Sequence, residues 1–84
     1  MTVKDFWHLK LGTVVKDNYS DWTGTVIKRQ VIDECYGFII SKTHTTDLKT
    51  GRKLLEITFD IGNNDFRYIN TSRPDHIKDI EILK

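Results

Sequence analysis

Lys53-Leu54-Leu55-Glu56-Ile57-Thr58-Phe59-Asp60-Ile61 is the stretch on which the fold turns. Successive side chains of a β-strand point to opposite faces, so this run sets Leu55, Ile57, Phe59 and Ile61 on one face. Leu54, Glu56, Thr58 and Asp60 fall on the other. One dry face and one wet face is the pattern of an antiparallel sheet packed on a single side.

Reading outward toward the C-terminus, Gly62-Asn63-Asn64-Asp65 turns the chain into a short strand, Phe66 to Ile69. Ser72-Arg73-Pro74-Asp75-His76-Ile77-Lys78 suits a loop and one helical turn, with Ser72 as the cap and Pro74 fixing φ near its start. A last strand follows at Asp79 to Leu83.

Reading outward toward the N-terminus, Asp47-Leu48-Lys49-Thr50-Gly51-Arg52 has turn chemistry. The Asp47 carboxylate can accept from backbone N–H groups ahead of it, and Gly51 can take the positive φ that closes a hairpin. It is expected to join Lys53–Ile61 to a strand at Tyr36 to Thr46, with Asp33-Glu34 in a solvated turn before it. Two earlier runs, Gly12 to Lys16 and Thr25 to Val31, flank the polar loop Asp17-Asn18-Tyr19-Ser20-Asp21 and read as neighbours. Val3 to Leu11 fits a short helical turn or an edge strand equally well.

The whole is expected to be one all-β domain over residues 1–84, because a chain of this length holds one core and not two. About five or six short antiparallel strands leave edges that are commonly satisfied by closing the sheet into a small barrel. The expected architecture is such a barrel with a long central hairpin and at most a short N-terminal helix or 3-10 turn.

Gly12-Thr13-Val14-Val15-Lys16, an aromatic polar loop and then Thr23-Gly24-Thr25-Val26-Ile27 resemble the opening hairpin of KOW-type and other SH3-like barrels. Arg73 to Leu83, one helical turn feeding a strand with Ile80 and Ile82, resembles their last element. The resemblance implies a small SH3-like barrel with a partner-facing loop. Asp17, Asn18 and Ser20 stand where KOW loops commonly carry glycine.

Thirteen Lys and Arg against twelve Asp and Glu leave a net charge of +1, so local patches must carry any electrostatic recognition. The lone Cys35 cannot form an internal bridge, which suits a reducing, cytoplasmic setting, and a small buried strand residue is the expectation there. The flanking Asp33-Glu34 would disfavour its thiolate. Met1 to Leu11 carries Asp5 and His8 and no long apolar run, so neither a leader nor a membrane span is expected.

His8, His44 and His76 have no ligand spacing, the five glycines are scattered singly, and no nucleophile sits in a recognisable catalytic setting. No enzyme activity, metal or cofactor is therefore expected. Surface recognition has more material. Asn18, Tyr19 and Trp22 put aromatics beside polar groups, Lys28 and Arg29 follow in the next strand, and Lys49, Arg52 and Lys53 cluster on the hairpin. These residues define the expected binding surface, with Arg67 and Arg73 as possible neighbours of the hairpin cations.

The expected partner is another protein, gripped by the Asn18–Trp22 loop and an exposed strand edge, as in adaptors or the small inhibitors that viruses and mobile elements encode. The alternative is nucleic acid, with Lys28, Arg29, Lys49 and Arg52 on phosphates and Tyr19 on bases. The sequence pI of 7.9 is low for a dedicated nucleic-acid domain, where values above about 9 are usual. Strand-edge pairing would also allow a homodimer.

Overall fold

The computed structural model describes residues 1–41 and 44–83, with the backbone alone for those between 35 and 50. The elements run α1 (Val3–Trp7), β1 (Val14–Asp17), β2 (Trp22–Ser41), β3 (His44–Gly62), β4 (Asp65–Asn70), α2 (Pro74–Ile77) and β5 (Ile80–Ile82). The five strands form one antiparallel sheet in the order β4-β3-β2-β1-β5. The chain is thus all-β with two short helices, and no ladder joins β4 to β5 among the described residues. None of the described helices is long and apolar enough to cross a membrane.

The dry face of the Lys53–Ile61 run is as the alternation demands. Leu55, Ile57 and Phe59 are buried, and they join Val15, Val26, Ile69 and Ile80 from the other strands. Phe6 of α1 and Ile77 of α2 complete this core, so each helix seals the sheet with one fully buried apolar side chain. The opposite face departs from expectation, because Leu54 and Thr58 are buried as well. Thr58 stands in the sheet between Lys28 and Tyr68, and a short side chain between two long ones is screened from water.

The segment that the sequence left open, Val3 to Leu11, begins as a helix. Its start is fixed by a capping box, in which the Asp5 N–H donates to Thr2 Oγ1 (3.1 Å) and the Thr2 N–H to Asp5 Oδ2 (3.2 Å). The Thr2 backbone N–H, and then its hydroxyl, hold the Asp5 carboxyl below its ordinary pKa.

Three local expectations are corrected. The Asp47–Arg52 turn is instead part of β3, and the hairpin continues to a Ser41–His44 pair. Gly51 does take a positive φ, +81°, but within the ladder: between the Asp33–Lys53 and Cys35–Lys49 pairs, Glu34 alone faces Thr50, Gly51 and Arg52. The glycine is needed for a bulge rather than for a reversal. Asp33-Glu34 is not a turn, since Thr25–Val31 and Tyr36 onward belong to one continuous β2. Cross-strand cations make acidic residues tolerable there: Asp33 pairs with Lys53, and Glu34 with Arg52 at 3.2 Å. Ser72 does not cap α2. Arg73 holds that position without a side-chain bond, while the Ser72 N–H and hydroxyl both donate to Asn70 Oδ1.

The Gly62–Asp65 turn is as expected, and its conformation explains its residues. Asn63 and Asn64 have φ of +56° and +59°, the left-handed pair of a two-residue type I′ turn that asparagine tolerates well. In β2, Gly24 is required by packing rather than by φ. A Cβ there would lie 3.1 Å from Trp22 Cζ3, from Phe59 Cβ and from Ile61 Cγ2. Gly24→Ala should cost about 1 kcal/mol, as overpacking outweighs the entropy that alanine removes from the unfolded chain. A thermal melt that left the midpoint unchanged would contradict this account.

Candidate functional site

The aromatic loop is a four-residue connection closed by the Asp17–Trp22 pair, with Asp21 in the left-handed region at φ +58°. Its base is fixed in two places. The Tyr19 N–H donates to the buried Asp17 carboxylate (3.0 Å), and the Asn18 N–H donates to Asp79 O ahead of β5 (3.0 Å). The Asn18 amide repeats the second contact at 3.3 Å. Held this way, Tyr19 stands 85% exposed beside a groove of about 230 Å³.

Trp22 forms part of the groove wall. Its ring is half-buried and lies tilted on Phe59, with centroids 5.3 Å apart, so one edge belongs to the core and the other to the groove. The opposite wall comes from Arg67, Tyr68 and Ile69 of β4 and from Asp75 and His76 of α2. Tyr68 is 64% exposed. Arg67 is steadied by Asp65 (2.9 Å), and Arg73 reaches both Asp75 (3.7 Å) and the His76 ring (3.1 Å). Three aromatics thus line a concavity whose rim carries both charge signs.

The remaining expected binding residues do not gather there. Asn18 is spent on Asp79 at the loop base. Lys28 and Arg29 instead border a wide, open depression with Lys10, Leu11 and Ile27, and the Arg29 guanidinium donates to Trp7 O at the end of α1. Arg52 and Lys53 face Glu34 and Asp33 across the ladder. The side chains of Lys49, Cys35 and His44 lie outside the described part of the structure. Arg67 and Arg73 belong to the groove and to α2.

Sequence reasoning missed Tyr68, Ile69, Asp75 and His76 as groove residues. The available signal was the Phe66–Ile69 alternation, which sends Tyr68 and Ile69 to opposite faces without saying what lies beside either. Among the described residues, no three His, Cys, Asp or Glu side chains converge in a way that could hold a metal ion. No protein-family model, curated protein or solved structure matches the chain.

Proposed function

We propose that the chain is a non-catalytic protein-interaction module that seats a short segment of a partner protein in the Tyr19–Trp22–Tyr68 groove. The observation that carries this reading is that three aromatic residues, from β2, β4 and the loop between β1 and β2, line one concavity. Tyr and Trp offer large contact areas at low entropic cost and supply most anchors at protein interfaces. The groove is smaller than the roughly 300–1,000 Å³ of typical small-molecule sites, a size that suits one or two side chains of a partner.

Preorganisation supports the reading too. Trp22 is braced by Phe59 and the loop by Asp17 and Asp79, so little ordering entropy is lost on binding. The mixed rim of Asp75, His76 and Arg67 favours a polar peptide over a polyanion, which would meet Asp17 and Asp75 as well as the cations.

Selection from a displayed random-peptide library, followed by anisotropy titration of the selected peptides, tests the proposal. Tyr19→Ala and Tyr68→Ala should each weaken binding by about tenfold or more, whereas Lys53→Ala should not. If no peptide is selected, and labelled single-stranded DNA or RNA instead binds with a steep salt dependence, the chain is a nucleic-acid module and the proposal fails.

A further inference from the structure

Beyond Val26, β2 has β3 on one side and, among the described residues, no strand on the other. β1 ends its pairing at Val14–Thr25, and the chain before it follows β2 only through Val26 N–H to Thr13 O (2.9 Å) and Gly12 N–H to Val26 O (2.8 Å). Such an edge presents alternating N–H and C=O groups to any strand of suitable sequence.

The sequence along that edge is Lys28-Arg29-Gln30-Val31-Ile32-Asp33-Glu34. Two cations, three neutral residues and two anions follow in order, so the edge is complementary in charge to itself when turned end for end. An antiparallel pairing that sets Val31 against Val31 places Arg29 opposite Asp33 and Lys28 opposite Glu34, and the two-fold axis repeats both pairs. Val31 itself is 57% exposed although its strand partner, Leu55, is buried.

We infer that this edge is a homodimer interface, in which two copies join β2 to β2 antiparallel about Val31. The depression bordered by Lys10, Leu11, Ile27, Lys28 and Arg29 lies where Asp33 and Glu34 of the second copy arrive, and its lining holds three cations and no carboxylate. Asp33 and Glu34 keep Lys53 and Arg52 inside their own chain. A carboxylate has two oxygens with several acceptor sites, so each can take a second cation from across the axis. The interface is separate from the groove and does not depend on the function proposed for it.

Sedimentation velocity on the wild-type chain at up to about 1 mM should show a dimer. Lys28→Glu with Arg29→Glu should be monomeric, its self-association weakened by about a hundredfold or more, because anions then face anions. A second variant reverses Asp33, Glu34, Arg52 and Lys53 together (D33K, E34K, R52E, K53E), which preserves the pairs within the chain, and it too should be monomeric. Mixed in equal amounts, the two variants should form a heterodimer, a result that misfolded chains could not give.

In wild type, the amides of residues 28–34 should exchange more slowly as protein concentration rises. This measurement needs no variant. A wild-type monomer at about 1 mM, or a dimer whose slowed amides lie elsewhere, would overturn the inference.

Discussion

Phe59→Ala is expected to destabilise the domain by about 3–5 kcal/mol. Phe59 is fully buried, packs between Phe6 of α1 (centroids 6.4 Å apart) and Trp22 of β2 (5.3 Å), and pairs in the sheet with Val26 and Arg67. Its removal opens a cavity bounded by α1 and the sheet, which the surrounding strands cannot close without breaking register. A domain of this length has a total stability of roughly 4–13 kcal/mol, so the loss is a large share of what holds the fold together. Urea unfolding followed by tryptophan fluorescence reads the effect. Phe59→Leu, which fills most of the space, should cost far less. A loss below about 1 kcal/mol for the alanine variant would mean that Phe59 is not the centre of the core.

Thr71→Val should cost about 1–3 kcal/mol, although it preserves the shape and volume of the side chain. Thr71 follows β4 and finishes the β3 ladder where β4 stops. Its N–H donates to Leu55 O (3.1 Å), and its hydroxyl oxygen accepts from Leu55 N–H (3.1 Å) in a buried site. Valine keeps the first bond and leaves the Leu55 N–H buried with no acceptor. The loss is a desolvation penalty rather than a packing defect, so Thr71→Ser, which retains the oxygen, should stay close to wild type. Equal stabilities for the valine and serine variants in denaturant titrations would show that water reaches the Leu55 amide.

The core was legible because the period of two in Lys53–Ile61 survives intact in the structure: Leu55, Ile57 and Phe59 are buried, and Ile61 packs half-buried against them. The length of β2 was not legible. Asp33-Glu34 has poor intrinsic strand propensity, and only the opposing Lys53 and Arg52, far away in sequence, make it a good strand segment. Gly51 illustrates the same gap. Its residue type announced the positive φ, but a bulge and a turn demand the same backbone angle, and the choice between them depends on register.

The candidate site divides along the same line. Tyr19 and Trp22 were readable as aromatics in a polar loop, since both facts are local. Tyr68 and His76 reach the groove through the fold of β4 and α2, which no nearby residue encodes. On the hairpin, Arg52 and Lys53 are neighbours in sequence, and each is matched across the ladder by an anion that no nearby residue announces.

Trp22 gives the molecule a practical property, because the same indole touches Phe59 inside and the groove outside. Any molecule that seats against it is favoured in the native ensemble over the denatured one, so occupancy and heat resistance must rise together by mass action. Calorimetric screening can therefore look for ligands of this surface before a single candidate has been named.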